Sequence, residues 1–478
     1  MPGPATLRYG GLAGSLLLAV AAFRHGADRP WSPTMTARTI LAGTDGWLTP
    51  LCWLAGTLLL VAAWWLGRHR VPSLRWANVT AALWAAPLLF VLPLGSDDVY
   101  SYACQGWVLG AGHDPYAAGV QAYGCPWLDA VSPTWRESPA PYGPVFLLLA
   151  ALAAVAGGSL TGALALLRVI AVLGVVLLAW RLPALARRCD VDPARAVWLT
   201  VACPLVPIHL ISGAHNDAVM VGLIVAALTL ATSRSTPAWL LAAGALIGLA
   251  GGVKATALVV LPFVVLPLRK NWWVALGAAA SLALASLVSG LGFGWVTALV
   301  GSSVSVQWTS PPTAIGMTAA LFGAGDNAIT LTRLIGLVAL LALLVVLWWR
   351  FALSTNTHHP ARPAPMRICA QSGNGTGPSL PSRVMRICAQ SKGAGLALAA
   401  TVALSPVFHP WYLMWPLAVL AATLRRDTLW LVVPCAVASV LCLPDGYNLA
   451  LAVKSQGAIA MTVVVVAVVI HVVRRRRA

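Results

Sequence analysis

Ser96-Asp-Asp-Val-Tyr-Ser-Tyr102 opens, and Ser138-Pro-Ala-Pro-Tyr-Gly-Pro144 closes, the one long polar stretch in a chain that is otherwise mostly apolar. Five of the thirteen carboxylates fall in it: Asp97, Asp98, Asp114, Asp129 and Glu137. It also carries the rings of Tyr100, Tyr102, Trp107, Tyr116, Tyr123, Trp127, Trp135 and Tyr142. Two adjacent acids at the lip of an apolar run can be a solvated helix end, since charge is cheaper there than at a bilayer centre. They can also be a chemical centre: side-by-side carboxylates repel, which raises one pKa and leaves that group suited to proton transfer. Aromatic faces with carboxylate hydrogen bonds are a common way to hold sugars, and this favours the second reading.

The rest of the chain says where that stretch must lie. Its 478 residues are 59% hydrophobic and 9% charged, with a mean hydropathy of +0.82, against about 25% charged in soluble domains. An all-α polytopic membrane protein follows. The net charge of +18 would suggest nucleic acid in a soluble protein, but in a membrane protein basic residues gather in cytoplasmic loops, so no nucleic-acid partner is expected. No small-residue cleavage site follows the first apolar run, which is therefore expected to remain as a span. Nine cysteines are scattered without metal-ligand spacing, so no zinc or iron–sulfur site is expected; no cofactor is expected and no metal is invoked, although Asp98 and Asp217 could form a divalent-metal site if both face one cavity. Cys104 and Cys125 share the polar stretch, where an oxidising compartment allows a disulfide.

Apolar runs of bilayer length lie near 7–23, 47–66, 77–95, 163–181, 195–213, 217–233, 237–252, 255–268, 272–291, 329–351, 394–408, 411–424, 428–444 and 456–473. That makes about 14 spans, within a range of 12–14. The run 142–157 is ambiguous, and charge decides it. If it does not cross, 23 of the 31 basic residues share one side with both termini, and ten of the thirteen acids lie elsewhere. If it crosses, 19 of those 23 flip outward, against the positive-inside rule. It is therefore expected to lie in the outer interface or to re-enter.

This topology sets four polar clusters on the outer side: 96–144, His215-Asn216-Asp217, Trp308 to Thr313, and His409-Pro-Trp-Tyr412, with Lys254 at a further outer turn. The bland readings are helix capping for Asn216 and Asp217, snorkelling for Lys254 and an interfacial aromatic belt for Trp411 and Tyr412. The functional reading unites them. The runs flanking Lys254 and His409 are only some 14–16 residues, about 21–24 Å, so their turns sit in a recess suited to a lipid-borne substrate. Residues 353–392 break the pattern: they are polar and Pro/Gly/Ser-rich, and Met-Arg-Ile-Cys-Ala-Gln-Ser occurs at 366–372 and again at 385–391. They are expected to form a disordered cytoplasmic insert without a catalytic role. The chain thus divides into N-terminal extra spans at 1–76, a catalytic core at 77–352, the insert, and C-terminal spans with a basic tail at 393–478.

In this order the clusters resemble the actinobacterial polyprenol-phosphate-mannose-dependent α-1,6-mannosyltransferases of lipomannan assembly, integral-membrane glycosyltransferases of the GT-C superfamily. The resemblance rests on Asp98-Val-Tyr-Ser-Tyr102, Gln105-Gly106, Asp114-Pro-Tyr116, Pro139-Ala-Pro-Tyr-Gly-Pro144, His215-Asn-Asp217, Val253-Lys254, Trp308 with Ser310-Pro-Pro-Thr313, Ser405-Pro406 and Pro410-Trp-Tyr412. It implies a GT-C helical bundle with a long first outer loop that supplies the catalytic carboxylate, here Asp98. Asp97, where the family carries a basic residue as often as an acid, is left as a tuner of the Asp98 pKa. The resemblance further implies a polyprenyl-phosphate-mannose donor, a lipid-anchored mannan or lipoglycan acceptor, inversion at the anomeric carbon, and action on the extracytoplasmic face of the plasma membrane. Substrate contacts are expected from Tyr100, Tyr102, Gln105, Asp114, Tyr116, Tyr142, His215, Asn216, Asp217, Lys254, Trp308, His409, Trp411 and Tyr412. Lys254, with His215 or His409, would neutralise the leaving phosphate, and Asp217 would orient the acceptor or a histidine. The alternatives are a GT-C transferase of another linkage or of arabinofuranose, and a non-catalytic transporter of lipid-linked sugars. Transporters place coupling charges at mid-membrane in two repeated halves; here charge clusters at one face and no such repeat is visible.

Overall fold

The computed structural model describes residues 2–26, 35–44, 46–233, 236–265, 272–301, 305–325, 327–353, 382–425 and 428–477. Those residues form an all-helical bundle. Helices start where the sequence supplies a proline in the first turn or a side-chain cap. Pro4, Pro144, Pro193, Pro237 and Pro311 open helices, positions whose missing N–H costs nothing. Ser73, Ser159 and Asp192 accept hydrogen bonds from first-turn amides that otherwise lack partners.

Five described helices are long and apolar enough to cross a membrane: Pro4–Arg24, Leu48–Gly67, Leu160–Arg188, Asn327–Phe351 and Leu449–Arg474. A sixth arises if Pro193–Val201 and Val206–Ser212, bent by 64°, count as one broken span. By this measure the expected 14 is not reached. Six further apolar helices run 10–17 residues, about 15–25 Å, short of a ~30 Å hydrocarbon core. The run at 142–157 is one of them, the helix Pro144–Gly157.

Leu160–Arg188 forms the spine, about 43 Å long at 1.5 Å per residue. Asp217–Ser233 lies parallel to it: Gly174 backs onto Ala218, and the Arg188 guanidinium reaches the Thr229 carbonyl and the Thr232 hydroxyl. The helix Asp98–Gly110 packs on Pro144–Gly157 so closely that a Cβ on Gly106 would collide with the Ala150 carbonyl. Cys104 and Cys125 form a disulfide that ties this helix to the loop beyond it.

Two expected boundaries change. The N-terminal spans are built into the core: Trp64 and Trp198 exchange indole N–H to carbonyl hydrogen bonds, and Trp84 donates to the Arg8 carbonyl. Trp53 Nε1 donates to Cys442 O at 3.0 Å, and the Met35 amide donates to Asp445 Oδ2 at 2.7 Å. The expected disordered insert is also shorter. Residues 354–381 lie outside the described residues, but Ser382–Leu404 is helical, so the second copy of the duplicated heptapeptide is the start of a helix, anchored by Cys388 Sγ on the Arg188 carbonyl. Its alternation of Val, Met, Ile and Ala with polar residues supports a helix once Phe263, Phe351 and Leu420 pack against the glycines that follow it.

Candidate active site

Four separated segments converge at the Asp217 end of the Asp217–Ser233 helix. The opposite end, about 24 Å away, meets Arg188, whose neighbourhood also holds the Arg425–Asp190 ion pair and Arg195 bound to Leu424 and Thr428. Arg188, Arg195 and Arg425 thus gather at one end of this helix and the polar site lies at the other.

Asp98 begins its helix with its own amide bonded to Ser96 Oγ. Its Oδ1 accepts from Trp135 Nε1 at 3.1 Å, and its Oδ2 lies 3.9 Å from His215 Nδ1. Tyr102, one turn on, places its hydroxyl 3.1 Å from the same His215 nitrogen. Burial pushes the Asp98 carboxyl up to about 6; the Trp135 hydrogen bond and Lys254 pull it back, and Asp217 adds to the rise. The Asp97 carboxylate turns toward Gly446, where a Cβ would sit 2.7 Å from Asp97 Oδ2.

Lys254 and Asp217 form an ion pair, with Nζ 3.0 and 3.2 Å from the two carboxylate oxygens. Trp415 Nε1 donates to the same Oδ1 at 2.6 Å. Asp217 is fully buried and so partnered that it orients the lysine, rather than an acceptor or a histidine as expected. The Lys254 ammonium also rests 4.4 Å from the Tyr412 ring centre and 5.1 Å from that of Trp415, a cation–π setting. The backbone reaches Asp217 through Ala214 at φ +49°, a left-handed conformation that non-glycine residues rarely hold and that gathers at functional sites.

Trp411 stacks on His215, with ring centres 3.7 Å apart, and on His409 at 4.7 Å. Burial, with Lys254 nearby, pushes His409 down to about 3, so it serves as a neutral hydrogen-bonding group and not as a second cation. The 305–313 loop is knitted to the 405–406 turn by Ser310 Oγ on Ser405 O and Thr313 Oγ1 on Pro406 O. Arg333 supports it, donating to Thr313 Oγ1 and Ser305 O.

These segments enclose a cavity of about 570 Å³ lined by Asp98, Tyr102, Tyr142, Lys254, His409, Trp411 and Tyr412 among others, with an apolar wall that includes Leu299, Leu337 and Val407. A carboxylate with elevated proton affinity and a fixed ammonium thus face one space.

Not every expected contact is there. Tyr100 is on the far side of its helix, facing an apolar groove with Arg168 at its base. Asp114 accepts from the Tyr116 amide, and Tyr116 donates to the Tyr142 carbonyl; they brace the cavity wall and do not line it. Trp308 donates to Ala450 O. Gln105, Asn216 and the Nε2 of His215 are buried without hydrogen-bond partners, and none of the three residues lines the cavity. Trp135, Gln307, Trp415 and His209 were missed. His209 had a readable signal, a histidine inside an apolar run; it is fully buried and neither ring nitrogen has a partner. Among the described residues no group of three or more His, Cys, Asp or Glu side chains converges as a metal site, and Asp217 is committed to Lys254.

The fold and this site are those of a helical membrane protein with an acid and a cation facing one cavity. The family described as alpha-(1->6)-mannopyranosyltransferase, N-terminal domain, matches residues 8–270, and the MptB C-terminal domain matches 382–472. A Mycolicibacterium smegmatis protein named "Probable alpha-(1->6)-mannopyranosyltransferase" is 33% identical over 88% of this chain and 79% of its own length. Alpha-(1->6)-mannopyranosyltransferase A of Mycobacterium tuberculosis is 32% identical over 88% and 80%, and alpha-(1->6)-mannopyranosyltransferase B of Corynebacterium glutamicum is 30% identical over 88% and 73%. No solved structure matches. The chain belongs to the alpha-(1->6)-mannopyranosyltransferase family. It is a mannosyltransferase, and the transporter alternative is set aside.

Proposed function

We propose that this enzyme moves mannose from polyprenyl-phosphate-mannose to a lipid-anchored mannan or lipoglycan acceptor, forming an α-1,6 linkage on the extracytoplasmic face of the plasma membrane. The observation that carries the reading is the placement of Asp98 and Lys254 on the walls of one cavity. The Asp98 carboxylate takes the proton of the acceptor hydroxyl as that oxygen attacks the anomeric carbon. The bond from that carbon to the phosphate oxygen breaks, with inversion, and polyprenyl phosphate leaves. Two hydrogen bonds hold Lys254 on Asp217, and an ammonium has a third N–H, which meets the departing phosphate. Fixed charge of this kind, in place before the reaction, stabilises charge as it develops. No step is routed through a metal or a cofactor.

Support for the outward face comes from charge sorting. Arg188, Arg195 and Arg425 gather at one end, the kind of basic cluster that the positive-inside rule puts in the cytoplasm, and the cavity lies at the opposite end. The apolar cavity wall is where a polyprenyl chain would arrive.

Asp98→Asn keeps the shape and the Trp135 hydrogen bond but removes the base. Transfer from polyprenyl-phosphate-mannose to an alkyl α-mannoside in membranes is expected to fall by about 10²–10⁴-fold; full retained activity refutes the base assignment. Linkage analysis of the product tests α-1,6 against other linkages, and a donor exchanged for its arabinofuranosyl counterpart tests the sugar.

A further inference from the structure

The end of the bundle away from the cavity holds a second cluster of chemically active side chains. Cys189 and Cys388 are free thiols from distant parts of the chain. Cys189 caps the spine helix Leu160–Arg188, and Cys388 lies near the start of Ser382–Leu404. Cys388 Sγ donates to the Arg188 carbonyl at 3.1 Å, the carbonyl that leads into Cys189, and the two thiols hydrogen-bond to each other. We infer that Cys189 and Cys388 form a peroxide-reactive dithiol, a modification site at which a hydroperoxide closes a disulfide between the spine and the helix 382–404.

Such a site needs access, a thiolate in electropositive surroundings and a resolving partner, and each is present. Cys388 is partly exposed while Cys189 is buried, and beside them the Arg425–Asp190 ion pair stands 63% and 68% exposed, so a small oxidant arrives at Cys388 first. Once deprotonated, Cys388 gives up its bond to the carbonyl and accepts from Cys189. That hydrogen bond lowers the Cys388 thiol, and Arg425 and Arg188 lower it further against burial; the same bond, with burial, raises Cys189. Cys388 is therefore the nucleophile and Cys189 the resolving thiol. The Cys388 thiolate attacks a peroxide oxygen, the O–O bond breaks, and hydroxide leaves and takes up the proton that Cys388 had released. The sulfur, oxidised by two electrons, is now a sulfenic acid. The Cys189 sulfur attacks it, the S–O bond breaks, and the hydroxyl departs with the Cys189 proton as water. Dithiol and peroxide become a disulfide and two waters. Cys203 and Cys435 make a comparison within the molecule: they interact too, but both are fully buried, the condition of an inert structural thiol. The helix tied by the new bond runs on to the Ser405–Pro406 turn in the cavity wall, so the modification reaches an active-site element from its far end.

The test maps the bond. Purified full-length enzyme in detergent is treated with hydrogen peroxide, alkylated, digested and analysed by mass spectrometry. The expected result is loss of Cys189 and Cys388 as alkylatable thiols and the appearance of a peptide pair joining them, released by dithiothreitol. Cys203 and Cys435 should remain alkylatable once the treated protein is denatured. In Cys189→Ser, oxidation should stop at a Cys388 sulfenic acid that dimedone traps; in Cys388→Ser, Cys189 should stay a thiol. Both variants should transfer mannose like the unmodified enzyme before peroxide is added. The mapping on the unmodified chain stands by itself where a substitution impairs folding. Both thiols still alkylatable after peroxide overturns the site. So does a disulfide from Cys388 to Cys369, its counterpart in the first heptapeptide copy, or trapping at Cys189 in place of Cys388.

Discussion

Trp135→Phe gives the sharpest check on how the base is tuned. The substitution keeps an aromatic wall but deletes the indole N–H that Asp98 Oδ1 accepts at 3.1 Å. That hydrogen bond favours the charged carboxylate and holds the pKa down to about 6 against burial. A hydrogen bond to a charged group contributes about 1.5–3 kcal/mol, and a pKa unit corresponds to about 1.36 kcal/mol. Because the Asp98 side chain keeps 17% of its surface exposed, water replaces part of the loss, and a rise of about one unit is expected. Asp98 acts deprotonated, so activity falls as the pH drops through its pKa. In kcat/KM profiles for mannose transfer from about pH 5 to 9, the acid limb should move from a midpoint near 6 to about 7, with the alkaline plateau normalised to remove any loss of positioning. A midpoint that stays put, or moves to lower pH, refutes the assignment of the limb to Asp98 and of Trp135 as its regulator.

Other perturbations test the scaffold. Lys254→Met leaves the fully buried Asp217 with a charge and only Trp415; stability should drop by about 3–5 kcal/mol, read as a lowered unfolding temperature in detergent. Adding Asp217→Asn to that variant should restore most of the stability and none of the transfer, which a purely structural lysine would not do. Reducing the Cys104–Cys125 disulfide, which closes a 21-residue separation, should cost about 3 kcal/mol, seen as a lower unfolding temperature with dithiothreitol and absent in Cys104→Ser. Gly106→Leu must force apart two helices that meet backbone to backbone and should destabilise by at least about 1–3 kcal/mol, with loss of detergent-stable protein as the readout.

How far the sequence could be read depended on whether each signal was local. Asp98, the recessed turns at Lys254 and His409, and the cysteine pair were visible because each is marked by its own neighbours: an acid after an apolar run, a lysine between two short spans, two thiols in one loop. The fourteen apolar stretches found helices, but not fourteen full-length ones, because composition reports burial in protein as readily as burial in lipid. Partnerships across the chain were invisible. Nothing in Gly252-Val-Lys254 says that its lysine meets Asp217, 37 residues away, and from the sequence Asp217 is expected to orient the acceptor or a histidine. Trp135 looked like one aromatic among eight, and its N–H on Asp98 is a matter of how the loop closes. Tyr100 and Tyr102 read alike, yet a helix sends residues two apart to different faces, so only Tyr102 reaches the cavity. The second heptapeptide copy reads as disorder in the sequence because its repetition stands out more than its helical pattern.

The grip of the first spans on the 442–448 turn, through Trp53 on Cys442 and the Met35 amide on Asp445, changes what counts as the smallest working enzyme. A chain begun at residue 77 would retain Asp98, Lys254 and their partners but lose the abutment against which the C-terminal turn is set. The N-terminal and C-terminal spans close the bundle like the two ends of a clasp. Swapping the C-terminal portion between relatives would therefore keep the 442–448 turn seated only if residues 35–53 travelled with it.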